Sequence, residues 1–137
     1  MTTIPDELRD LFVEPALAHV SYLNVKGQIV NWPMWVDLDD EHLLVSSPVG
    51  SRKGRSFRER PQVGISIVSG KNPWHWLSAS GRVTDIQPDD NLAFIDRMSR
   101  KYTGADYQRR SPREIFTIAI DRVSPSSDSL RRWTRTD

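Results

Sequence analysis

Apolar and polar residues alternate with a period of two over much of this chain, and the alternation breaks at glycine, proline and acidic clusters. Residues 18–25 form one such run, and Asn24-Val25-Lys26-Gly27 supplies a turn out of it. A second run, 28–38, is rich in β-branched and aromatic residues but holds Pro33, which cannot donate to a ladder. Pro33 therefore belongs at a sheet edge, at a bulge or where the backbone faces a ligand. An acidic turn from Asp37 to Glu41 leads to a third strand over 42–47. The alternation of Val63, Ile65 and Ile67 with Gly64, Ser66 and Val68 predicts a half-buried strand, and long strands follow over 74–86 and 113–123.

Three segments keep the helical period instead. Leu8, Leu11 and Phe12 share one face of a short helix that opens near Pro5. Ser51 is placed to cap a helix that Pro61 ends, and Asp89-Asp90 opens another that Thr103-Gly104 closes. Six strands with hairpin-like spacing and two or three helices predict a mainly β fold, an antiparallel barrel or sandwich with helical decoration.

Composition narrows this further. A chain of 137 residues is one domain, with its core expected over about 8–124 and a loose Ser- and Arg-rich tail over 125–137. A hydrophobic fraction of 37% and a charged fraction of 27% fit an ordinary globular protein. No apolar run approaches the roughly 20 residues of a membrane helix, and the polar, acidic start does not read as a signal peptide. With no cysteine, disulfide and thiolate chemistry are excluded, which fits the cytoplasm. Histidines 19, 42 and 75 lack metal-ligand spacing, so no metal is expected.

Net charge is +1, yet Arg52, Lys53, Arg55, Arg58 and Arg60 crowd one short segment against Glu59. Such a cluster suits a small anion better than a nucleic acid duplex, which needs a wider basic face. The free N–H groups and positive dipole end of a helix attract an anion, and cations there cost stability unless one is bound. Trp32-Pro33-Met34-Trp35 and Trp74-His75-Trp76 hold four of the five tryptophans, surfaces against which a flat ring can lie. Two aromatic clusters flanking an anion site point to a planar phosphorylated ligand.

These residues together resemble the pyridoxamine 5′-phosphate oxidase-like, FMN-binding split-barrel superfamily, and within it the branch that uses the deazaflavin coenzyme F420. The resemblance rests on Gly27 to Asp37, Ser51-Arg52-Lys53-Gly54-Arg55, Arg60-Pro61-Gln62-Val63, Asn72-Pro73 through Gly81-Arg82-Val83, and Lys101-Tyr102-Thr103-Gly104. It implies a six-stranded antiparallel split β-barrel that forms a homodimer with cofactor sites at the interface. It further implies that Ser51, Arg52, Lys53 and Arg55 hold the cofactor phosphate, with Ser46 and Ser47 adding hydrogen bonds. Trp32, Pro33, Met34 and Trp35 would line the ring. Trp76 stands where the oxidases carry a flavin-contacting glutamine, a departure that favours coenzyme F420 over FMN. The activity implied is hydride transfer to a small conjugated organic substrate, with His75 and Tyr102 as candidate proton donors. The alternatives are an FMN-dependent oxidase or reductase, and a non-catalytic module binding a cofactor or nucleic acid.

Overall fold

The computed structural model describes residues 2–135. Seven antiparallel strands lie in the order β2-β1-β5-β6-β7-β4-β3. They are β1 (Ala18–Leu23), β2 (Ile29–Met34), β3 (Asp37–Leu38), β4 (His42–Pro48), β5 (Gln62–Val68), β6 (Trp76–Pro88) and β7 (Arg113–Pro125). The seventh strand, beyond the expected six, is the two-residue β3 that follows Trp35 and Val36 and pairs Asp37 with Leu44. A 3-10 helix (Asp6–Phe12) precedes the sheet, and three α-helices, α1 (Arg52–Glu59), α2 (Ala93–Thr103) and α3 (Ser127–Arg135), follow in order. None of these helices is long and apolar enough to cross a membrane.

Chain connectivity dictates closure. β2 and β3 occupy opposite margins of the sheet yet are separated only by Trp35 and Val36. A flat sheet would hold its outermost strands about 29 Å apart at about 4.8 Å per step, whereas three residues reach at most about 10 Å. The sheet must therefore curl until its margins meet, which makes a split barrel. The two 13-residue strands β6 and β7 take the curvature through register shifts at Ser80/Gly81 and Val83/Asp85.

The alternation seen in the sequence now has a direction. Ala18, Val20 and Tyr22, Val63, Ile65 and Ile67, Leu43 and Val45, and Phe116, Ile118 and Ile120 all point into one core. Leu8, Leu11 and Phe12 of the 3-10 helix join it. Pro33 is exposed on β2, a margin strand, as its missing donor requires.

Lys101-Tyr102-Thr103-Gly104 ends α2 and fastens the closure. The Lys101 ammonium donates to the carbonyls of Phe12 (2.5 Å) and Val36 (2.9 Å). The Tyr102 hydroxyl donates to Ala16 O at 2.6 Å and accepts from Val36 N–H at 3.3 Å. Thr103 Oγ1 donates to Ser99 O, and Gly104 adopts the left-handed conformation (φ +84°) that stops the helix.

The expected loose tail is instead α3, which packs on the 3-10 helix, while residues 136 and 137 lie outside the described residues. What holds it is long-range and so invisible to local pattern. Ser126 Oγ donates to Trp74 O (2.6 Å), and buried Ser129 meets the His75 ring at 2.6 Å.

Candidate functional site

A pocket of about 260 Å³ opens where the barrel margins meet. β2 contributes Pro33 and Met34, and Trp35 follows directly; β4 contributes Ser46; α1 contributes Lys53. These five belong to the site expected from sequence, and folding brings them together. The remaining lining comes from Leu17, from Phe94, Ile95 and Met98 of α2, and from Tyr107 and Arg113.

α1 is positioned from its first residue. Ser51 is extended (φ −69°, ψ 159°), and its hydroxyl accepts the Gly54 N–H at 3.0 Å. Ser47 Oγ lies 2.7 Å from Ser51 Oγ, so both hydroxyls serve the helix cap rather than the pocket. Phe57 anchors the other side, packed edge-on to Tyr22 and Phe116 at 5.0 and 5.1 Å. With that face buried, Arg52 and Arg55 are exposed, and their side chains make no hydrogen bond or ion pair among the described residues. Lys53 takes a different course. Its ammonium lies 4.9 Å from the centroid of the Trp32 ring and reaches the pocket, where burial and then the charge of Arg113 lower its pKa.

The aromatic wall is a set of locked planes. Trp35 stacks on Tyr102 (5.3 Å, 9°) and meets Tyr107 edge-on (5.9 Å, 84°). Both polar contacts of the Tyr102 hydroxyl go to backbone, so this candidate proton donor instead fixes the plane of Trp35. Burial raises its pKa, in keeping with a phenol that stays protonated. Tyr107 is held by the loop after α2, where its N–H donates to Asp96 and Arg110 pairs with the same carboxylate at 2.8 Å. Arg113 lies over the Tyr107 ring at 5.1 Å and donates from Nε to Ser46 Oγ at 2.8 Å.

Two expected members stand elsewhere. His75 is sealed at 1% exposure, with Nδ1 2.6 Å from Ser129 Oγ and Nε2 3.0 Å from Asp10, and it joins the 3-10 helix to α3. Trp76 pairs with Val68 on β5, three strands from β2, and does not line the pocket. Sequence reasoning missed Arg113 and Tyr107. Arg113 is visible only once β7 is known to pair antiparallel with β4, which sets it opposite Pro48 and within reach of Ser46. Phe94 and Met98 sit four apart on α2 and line the same pocket.

A curled antiparallel sheet with a cationic, aromatic pocket at its seam defines a split-barrel protein. Residues 4–127 match the pyridoxamine 5′-phosphate oxidase family, and the chain belongs to it. Among solved structures it is similar to one described as an F420 reductase, at 25% identity and a TM-score of 0.79 over 88% of this chain and 98% of that one. A conserved hypothetical protein from Mycobacterium tuberculosis shares the fold at 17% identity and TM-score 0.70, covering 95% of this chain and 89% of the other. HupZ of Group A Streptococcus does so at 18% and 0.62, over 91% and 99%. No curated protein matches the chain.

Proposed function

We propose that this protein is an oxidoreductase that binds a phosphorylated planar cofactor of the flavin type, coenzyme F420 in preference to FMN, and reduces a small conjugated organic molecule. One observation carries the reading. Unpartnered cations at the start of α1 adjoin an aromatic pocket in which Lys53 and Arg113 have no carboxylate within ion-pair distance among the described residues. That donor set fits an anionic group on a flat ligand. Similarity to the F420 reductase supports the deazaflavin over FMN.

The residues divide the work. Arg52 and Arg55 stand exposed at the start of α1, where their charges add to the positive end of the helix, which together suit a phosphate. Trp35 with Pro33 and Met34 offers the ring a rigid wall, and Lys101 and Tyr102 hold that wall from behind. When bound, the cofactor supplies hydride transfer, and the protein supplies orientation and electrostatics. Exposed Leu17, Val68 and Trp76 form an apolar row on the outer face beside the pocket, and this row supports a homodimer with the site at its interface.

Titration of the protein with coenzyme F420 and with FMN, followed by fluorescence, tests the reading. One-to-one binding with F420 the tighter is expected; tighter FMN moves the assignment to the flavin, and binding of neither refutes it. Replacing both Arg52 and Arg55 by alanine should weaken cofactor affinity about tenfold or more, since each hydrogen bond to a charged group contributes about 1.5–3 kcal/mol. Both side chains are exposed, so the variant keeps its fold. Unchanged affinity would refute the phosphate role.

A further inference from the structure

We infer that Glu114 is a positioning residue: through Arg58 it staples α1 to β7, and so aligns the phosphate end of the cofactor site with its aromatic wall. The alignment role rests on the reading above; the staple itself rests on geometry.

Glu114 follows Arg113 on β7, and successive side chains of a strand leave opposite faces. Arg113 lines the pocket, whereas Glu114 shares the inward face of Phe116, opposite Ser47 on β4 and Pro88 on β6. The Glu114 side chain is only 14% exposed, and its Oε2 accepts from Arg58 Nη2 at 2.5 Å. Its other oxygen, Oε1, is buried without a hydrogen-bond partner among the described residues. An unpaired buried carboxylate oxygen costs stability, and a well-packed apolar residue would avoid that cost. What the carboxylate supplies in return is its hold on Arg58.

Arg58 carries that hold to the first turn of the helix. Its Nη1 reaches the Gly54 carbonyl at 3.4 Å, and its guanidinium carbon lies 5.9 Å from the centroid of the Phe116 ring. Gly54 itself marks a close approach of α1 to the sheet. A Cβ built there would stand 3.2 Å from Phe116 Cζ and 3.3 Å from Arg58 Nη1. The glycine inside Ser51-Arg52-Lys53-Gly54-Arg55 thus lets the first turn settle against Phe116, and the Arg58–Glu114 pair keeps it there. Among the described residues, Arg58 is the α1 cation that has a carboxylate partner. Arg52, Lys53 and Arg55 are left for a ligand.

The start of β7 is therefore a common reference for both halves of the site. One face carries Arg113 into the pocket, and the other fixes the helix that presents the exposed arginines. A ligand that spans the Trp35 wall and the start of α1 gains from both contacts only while their separation holds.

Fluorescence titration with coenzyme F420 and with its phosphate-free ribityl-deazaflavin chromophore tests this. The two probes share the ring, and only the coenzyme carries the phosphate arm. The wild-type protein should bind the coenzyme more tightly than the chromophore. Glu114→Gln, nearly isosteric, should reduce that advantage about tenfold while leaving chromophore affinity unchanged. Arg58→Gln changes the more exposed member of the pair, at 46%, and provides the second variant should Glu114→Gln fail to fold. It should have the same effect, and the double variant should be no worse than either single one. Equal losses for both ligands would mark a merely structural pair and overturn the positioning role, as would an advantage that survives both single variants. Hydrogen exchange of the α1 amides reads the staple without a ligand: faster exchange in each variant is expected, and unchanged exchange would overturn it. A wild-type protein that binds neither probe would refute the cofactor reading and the alignment role with it, while faster α1 exchange would still establish the staple.

Discussion

Gly81→Ala will destabilise the barrel at its bend, costing about 3 kcal/mol and lowering the melting temperature by roughly 10 °C. A Cβ built on Gly81 falls 2.0 Å from the backbone oxygen of Ala119 and 3.2 Å from Ile120 Cα. Neither neighbour is a flexible side chain that could move aside. The position coincides with the Ser80/Gly81 register shift between β6 and β7. Gly64→Ala is the matched control, because its Cβ would meet only Ser21 Cβ at 3.9 Å, an ordinary contact. Thermal unfolding followed by circular dichroism should separate the two clearly. Equal melting temperatures would show that the strands can part at the bend without loss.

Phe57→Ala should cost about 3–5 kcal/mol, the range for a large aromatic removed from a packed core. Phe57 is 1% exposed and lies between Tyr22 and Phe116. It is also the inward anchor of α1, so its loss should weaken cofactor binding although it touches no part of the pocket. Phe57→Leu retains most of the buried area and should lose far less of both. Denaturant unfolding and cofactor titration on the same samples provide the check. Full cofactor affinity in a destabilised Phe57→Ala protein would show that α1 is held by its cap and flanking strands alone.

Local features of this fold were legible and distant ones were not. Val63, Ile65 and Ile67 announced a strand with one buried face, and Ser51 with Pro61 bracketed α1 closely. Both follow from side-chain periodicity and capping, which act over a few residues. Lys101 and Tyr102 stood out as a motif, but their partners, Phe12, Ala16 and Val36, lie 65 to 89 residues away. Nothing local names them. The same reason hid Arg113, because its nearness to Ser46 depends on the pairing of β4 with β7. His75 looked available between two tryptophans, but Asp10 and Ser129 arrive from opposite ends of the chain to enclose it. The tail looked loose because its apolar content is low, and its order comes from hydroxyls that meet the Trp74 carbonyl and the buried His75 ring.

The crossing at Trp35 and Val36 has a consequence for how the chain reaches its working state. Segments that begin at Leu17 and end at Arg113 share one pocket, so nearly the whole chain must be in register before a ligand finds its walls. Occupancy is thus coupled to global stability instead of to a single loop. A ligand bound only by the closed barrel adds about 2.7 kcal/mol at a hundredfold excess over its Kd. Any molecule that fits between the two margins should therefore raise the melting temperature of the entire domain. The barrel thus serves as its own reporter for any ligand held at its seam.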